Sequence, residues 1–436
     1  MSSAPPAASI GVDFGTTNTV VALATDNGNV ETLRFEHGGA TQSVYASALC
    51  FWQERPGIGL PPNADGGPWA IERVLQGHAA RFMQSFKTFA ASRSFQSTMI
   101  FRQRYQFEDL LAAFLRTLVR HAGAGFDLAA SRVIIGRPVR FAGATPDDAL
   151  AMQRYRDAFN RLGINNSRYV YEPVGAAFSF ARHLDRDATV LVADFGGGTS
   201  DFSIMRFSRT AGVLRADPLG HAGIGIAGDN FDYRIIDRVV SPRLGKGGSY
   251  RSFGKVLPLP SHYYAKLARW HELAFMKGSA DMRELRELVR SALDPALLRD
   301  FIALVELDLG FSLYRAVSAA KVALSTNDTV EFRFIEGNID IRSTIARSDF
   351  QSWISEDLVR IGATVDQVLS KARIGPSEIE KVFLTGGTSF VPAVQQLFAE
   401  RFGKEKLTSA DQFESIAYGL ALIGQTDDPD QWAFAA

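Results

Sequence analysis

Cysteine is almost missing from this 436-residue chain, with Cys50 standing alone. No disulfide can form within the chain, which fits a reducing compartment, and a lone thiol reads as a small buried hydrophobe. Neither charge sign is in excess, with 47 Lys and Arg against 47 Asp and Glu. That balance argues against a general binder of nucleic acid or of a membrane surface. No apolar run approaches the roughly 18 residues of a membrane helix. None of the seven histidines has a second ligand at metal-binding spacing, so no zinc site is expected. Met1 to Ser9 carries neither the basic nor the apolar stretch of a secretory leader. These absences together lead to the expectation of a cytoplasmic protein.

What is present is ordinary globular material, 46% hydrophobic and 22% charged, in a chain long enough for two or more packed units. Ile10, Val12 and Phe14 alternate before Gly15, and Val20 to Leu23 resumes a strand pattern. Residues 53–68, rich in Pro and Gly, read as a loop. Helical spacing runs over Leu110–His121, Ala149–Leu162 and Pro173–His183, the last with Pro in its first turn. Arg132–Ile135 and Val170–Glu172 read as strands. Ala188–Ala193 is a strongly apolar strand, broken by glycines and resumed at Phe202–Phe207. Residues 241–262 read as an exposed excursion, and Met282–Leu324 as mostly helical. A hairpin around Gly337-Asn338, a helix over Phe350–Lys371 and a strand at Lys381–Thr385 follow.

One device occurs twice. Asp13-Phe14-Gly15-Thr16-Thr17 recurs half a chain later as Asp194-Phe195-Gly196-Gly197-Gly198-Thr199. Glycines let backbone N–H groups approach an oxyanion, and threonine hydroxyls add neutral donors. An aspartate before such a turn repels phosphate. It can instead hold Mg²⁺ through water, because Mg²⁺ prefers oxygen ligands and keeps its hydration. No Gly-Lys-Ser/Thr follows either turn, so neither is a Walker A loop. A strand follows each turn where a dinucleotide fold requires a helix. Gly223 to Asp229 forms a further glycine turn before a helix, and Gly386-Gly387-Thr388 sits at a strand-to-helix junction. Such junctions suit phosphate or nucleotide.

The motifs Gly11 to Asn18, Tyr171 to Ala177, Asp194 to Asp201, Ala227 to Asp232 and Thr385 to Pro392 resemble, in content and order, those of the DnaK-type heat-shock chaperones. The resemblance covers about residues 9–424. It implies an α/β actin-like ATPase fold, with two duplicated ribonuclease-H-like lobes around a central nucleotide cleft. Lobe I would span 1–186, completed by 405–436. Lobe II would span 187–404, with a helical, mobile subdomain at about 229–345. The resemblance is to the short YegD-type branch, which lacks a peptide-binding domain.

The same resemblance implies roles for individual residues. Asp13 and Asp194 hold hydrated Mg²⁺. Gly15, Thr16, Thr17, Asn18 and Gly196, Gly197, Gly198, Thr199 cradle the phosphates of ATP or ADP. Lys87 reaches the γ-phosphate, Glu172 and Asp201 orient the attacking water, and Thr199 counts as catalytic as well as part of the cradle. Gly228, Asp229, Gly386, Gly387 and Thr388 line the nucleoside, and Lys321 and Ser325 belong to the adenosine site.

Several positions depart from the family pattern. Val322 replaces an arginine that stacks on adenine, and Ser318 replaces a ribose-binding glutamate. Met152 appears where the family has an interlobe-signalling arginine, while Pro138 keeps a proline switch. Gln412 and Phe413 replace a Pro-Asp pair. The leading expectation is a slow Mg-ATPase of chaperone type. The alternatives are a non-catalytic, nucleotide-dependent binding module, a small-molecule kinase of the same superfamily and a filament-forming relative. Region 241–315, with Tyr250, Phe253, Tyr263, Tyr264, Trp270 and Phe275, reads either as local core or as a patch for a protein partner or co-chaperone.

Overall fold

Every residue of the strand Ser9–Phe14 is buried, although its sequence suggested alternation. Both faces of the sheet are covered, and a strand covered on both sides becomes apolar throughout. The computed structural model describes residues 9–433 except 26–27, 55–60, 78–79, 124–125, 130, 183, 211–212 and 410–413. Gln412 and Phe413 therefore lie outside the described residues.

The chain forms two compact units, residues 1–227, 360–389 and 395–436 in one, and 228–359 with 390–394 in the other. The first unit contains two sheets of the same design. In the first sheet, Ser9–Phe14 pairs antiparallel with Asn18–Ala24, which continues to Val30–Thr32. On its other side it pairs parallel with Arg132–Arg137, which pairs parallel with Ser167–Tyr171. In the second, Ala188–Phe195 pairs antiparallel with Ser200–Thr210, which continues to Val213–Ile224. Its other neighbours are Lys381–Thr385 and Leu407–Ser409, both parallel. The repeat seen in the sequence is thus a repeat of strand order.

Two helices lock these sheets into one core. Glu172–Ala181 and Ser415–Gly424 bring Val174, Ala177, Ile416 and Leu420 together with Ile134 of the first sheet and Val190, Val192 and Phe383 of the second. The helices approach until their backbones touch: a methyl group on Gly419 would stand 1.7 Å from the Gly175 carbonyl oxygen. The opposite face of the first sheet is covered by Phe107–Ala122 and Asp148–Asn160. Gln106 and Asp109 form a capping box at the start of the former, and Asp147 Oδ1 accepts from Leu150 N–H at the latter.

Two expectations need correction. Residues 63–68 of the expected loop are regular structure: Asn63–Gly66 is a strand, and the helix Gly67–Leu75 starts directly after it. Pro68 sits in that helix's first turn, where its missing N–H has no cost. The long strand Val213–Ile224 was not anticipated, because Pro218 and Gly220 resemble breakers. It lies at the sheet's edge, and the register shifts at Ile204/Met205, opposite Pro218 and Gly220.

The second unit is mostly helical. Gly228–Ile235 continues as a π-helical turn, Ile236–Val240, and Gly310–Thr326 is its longest helix lying wholly within the unit. The hairpin at Gly337-Asn338 is present as Thr329–Glu336 with Ile339–Ala346. Tyr263, Tyr264 and Trp270 are buried at 2%, 1% and 2% exposure, so the reading as local core holds for them. Phe253 differs. It caps the hairpin of Ser249–Ser252 with Lys255–Pro258, is fully exposed and has φ of 46°. Among the described residues of the chain, no helix is long and apolar enough to cross a membrane.

The contact between Gly419 and Gly175 leaves no room for a side chain. Gly419→Ala is expected to cost about 1–3 kcal/mol or more through overpacking. Calorimetric unfolding should show a lowered midpoint, and an unchanged midpoint would contradict the described packing.

Candidate phosphate and cation site

The two glycine turns are closed by the same hydrogen bond. Gly15 N–H donates to Asn18 O at 2.9 Å, and Gly196 N–H donates to Thr199 O at 3.0 Å. Each turn is thus a four-residue bridge between Phe14 and Thr19, or Phe195 and Ser200. The turns also approach each other. A Cβ on Gly198 would lie 3.2 Å from Thr16 Oγ1 and 3.6 Å from Thr88 Cγ2. Ser47 Oγ donates to Gly15 O at 2.7 Å, and Thr388 Oγ1 donates to Gly196 O at 3.4 Å, so each turn is also held from outside. Gly386 has φ of 82°, and a Cβ there would stand 2.1 Å from Phe195 O. Only glycine lets this junction lie against the second turn.

The hairpins differ in one respect. Val20 faces Asp13 across the first, whereas Asp201 faces Asp194 across the second. Asp201 Oδ1 accepts from Val139 N–H at 2.7 Å and from Arg140 N–H at 3.2 Å. Its Oδ2 is buried without a hydrogen-bond partner. Pro138 precedes these donors, so the strand Arg132–Arg137 reaches the second hairpin through the segment after its proline.

Lys87 lies in the short 3₁₀ turn Phe86–Phe89, whose preceding residue, Ser85, has φ of 53°. A non-glycine residue there carries roughly 1–3 kcal/mol of strain, and such strain collects at functional positions. Lys87 Nζ donates to Glu172 Oε1 at 2.7 Å, and both side chains are buried. Glu172 is the first residue of the Glu172–Ala181 helix, next to Pro173. Arg154 holds the following segment, donating to Phe89 O, Ala90 O and Ser92 O at 2.8, 2.9 and 3.1 Å. Sequence reading did not single out Arg154, because its role is visible only once the Asp148–Asn160 helix packs against residues 89–95. Met152 on the same helix is entirely buried.

Asp13, Glu172, Asp194 and Asp201 are therefore four buried carboxyl groups around one buried ammonium. Burial, then repulsion from Glu172, pushes Asp13 up to about 8, against the pull of Lys87. Asp194 is raised well above the carboxylate range by burial and by Glu172, Asp13 and Asp201. Asp201 is raised to about 7 by burial and Glu172, with Thr199 and the two N–H groups opposing. Burial alone would lower Lys87, but its carboxylate neighbours raise it instead. The cluster is short of positive charge, and an oxygen-seeking cation fits that donor set.

Of the residues singled out in the sequence, Gly228, Asp229, Lys321 and Ser325 lie in the second unit. Lys321 Nζ lies 2.8 Å from Asp232 Oδ1 and 3.4 Å from Gly228 O, and Ser325 Oγ donates to Lys321 O at 3.5 Å. Asp229 is raised to about 7 by burial and by Asp232, with Lys321 opposing. Val322 is exposed, and Ser318 lies one turn before it.

Known proteins resemble this chain along nearly its whole length. DnaK, a chaperone protein of Thermotoga petrophila, is 26% identical over 419 residues, covering 95% of this chain and 58% of that protein. DnaK of Thermosipho melanesiensis shows the same identity and shares. The dnaK3 chaperone protein of Thermosynechococcus vestitus is 24% identical over 432 residues, covering 95% of this chain and 54% of its own length. The chain thus spans little more than half the length of these relatives. A family model described as Hsp70 protein matches residues 78–246 and 310–432. That match covers more than half of the chain and includes the whole second copy of the strand order, so the chain belongs to the Hsp70 family and has its actin-like ATPase fold.

Proposed function

We propose that the protein binds Mg-ATP and hydrolyses it slowly, as a chaperone-like ATPase. The observation that carries this reading is the pairing of two identically closed glycine turns over a buried cluster with excess negative charge. The turns offer N–H groups and the hydroxyls of Thr16, Thr17 and Thr199 to phosphate oxygens. A hydrated Mg²⁺ beside Asp13 and Asp194 would supply the charge neutralisation that phosphoryl transfer needs. Among the described residues, no three acidic, histidine or cysteine side chains are placed to cage an ion directly. A cation there would keep its water, as Mg²⁺ commonly does.

Lys87 neutralises the γ-phosphate once that phosphate competes with Glu172 for its ammonium. Glu172 and the unpartnered Oδ2 of Asp201 then accept hydrogen bonds from the attacking water and aim it. The reading assigns nucleoside contacts to Gly228, Asp229, Lys321 and Ser325, and separately to Gly386, Gly387 and Thr388. Val322 in place of a stacking arginine weakens base selectivity. The reading includes lobes at 1–186 with 405–436 and at 187–404, a mobile subdomain at about 229–345, and a cytoplasmic location. It also includes a protein partner at 241–315, where exposed Phe253 is the natural anchor.

Two outcomes test the site. Lys87→Ala should lower phosphate release from ATP by about 100-fold or more. Equal release by wild type and variant would remove Lys87 from the mechanism. Asp194→Asn removes the cost of keeping an ionisable carboxyl buried and neutral in metal-free buffer at pH 7, so its unfolding midpoint should rise by about 2–4 °C, the shift that 1 kcal/mol produces in a large domain. The same variant should lose the stabilisation that Mg²⁺ gives the wild type with ADP. A lower metal-free midpoint would show that burial and the neighbouring carboxylates do not raise Asp194 as described.

A further inference from the structure

Tyr155 lies on the Asp148–Asn160 helix, one residue after Arg154, and its hydroxyl is fully buried without a hydrogen-bond partner in the protein. An orphaned buried hydroxyl is costly, and phenylalanine would fill the same space without that cost. The ring is fixed from several sides. The centroids of Phe14, Phe107 and Phe141 lie 6.1, 6.0 and 5.6 Å from its own.

Phe14 connects this ring to the charged cluster. It follows Asp13, precedes the first glycine turn, and has Lys87 Nζ 5.8 Å from its centroid. The Tyr155 ring and the Lys87 ammonium therefore both lie against Phe14. The charges of Lys87, Glu172 and Asp13 all act on Tyr155, while burial, the largest influence, raises its pKa and keeps the hydroxyl neutral. A neutral phenol can both donate and accept. Lys87 commits one N–H to Glu172 Oε1 and has two more to place.

We infer that Tyr155 is a positioning residue: its hydroxyl holds a buried water that bridges to the Lys87 ammonium and keeps it aimed at the glycine turns. A buried water takes about three hydrogen bonds. Tyr155 Oη, Lys87 Nζ and a carboxylate oxygen of the cluster supply them. The kinetic consequence rests on the ATPase reading above, whereas the bridge itself does not.

The test combines a high-resolution crystal structure of the wild-type protein with steady-state kinetics of Tyr155→Phe. An ordered water within hydrogen-bond distance of both Tyr155 Oη and Lys87 Nζ is expected. In the variant, kcat for ATP hydrolysis should fall by about tenfold, as loss of one hydrogen bond in the transition state requires. KM for ATP should stay within roughly twofold and the fold should hold, a split that a structural role alone does not produce. No water touching both groups would overturn the inference, and so would an active wild type matched in kcat by the variant. A wild type that shows the water and does not hydrolyse ATP supports the bridge and contradicts the ATPase reading. Should the variant fail to fold, the wild-type water decides the matter.

Discussion

Buried negative charge is the constraint on which the first unit depends. Asp13, Glu172, Asp194 and Asp201 are withdrawn from water around Lys87, and burial of that kind opposes folding unless something compensates. The compensation visible within the chain is partial. Among the described residues it includes one ammonium, two backbone N–H groups on Asp201 and the Thr199 hydroxyl. The doubled sheets supply the rest of the folding energy through the apolar core between them. The fold thus carries a destabilised cluster at the ends of two strands, an arrangement that a cation and an anionic ligand together would relieve.

The doubling also explains how the cluster is assembled. One strand order is used twice, and each copy ends its central antiparallel pair in the same four-residue turn. The copies diverge at the buried cluster itself. Val20 of the first hairpin becomes Asp201 of the second, and the helix that joins the sheets begins with Glu172. Lys87 then enters from a separate turn, held by Arg154 and preceded by strained Ser85.

The part of this legible in sequence was the part encoded locally. Asp13 and Asp194 sit before glycine turns flanked by strand patterns, so turn and strands could be read together. Glu172 stood beside Pro173 at a helix start, and the helix was found there. Long-range packing left no such trace. Arg154 and Tyr155 are ordinary letters in an amphipathic helix until its neighbours are known. Gly67-Pro68 read as loop because helix starts and turns use the same residues. Val213–Ile224 was missed because Pro218 looks like a breaker until the register shift opposite it is seen. The aromatic cluster at 241–315 divided in two: Tyr263, Tyr264 and Trp270 are core, while Phe253 projects from a hairpin in a stretch that the Hsp70 family model does not match.

The central claim is that the charge-starved cluster and the paired turns together bind a nucleotide as its magnesium complex. Isothermal calorimetry with ATP, in Mg²⁺ and in chelator, tests it most directly. The account predicts binding at least about tenfold tighter with Mg²⁺, a difference of roughly 1.4 kcal/mol. Equal affinity in the two buffers, or no binding at millimolar ATP, would contradict it.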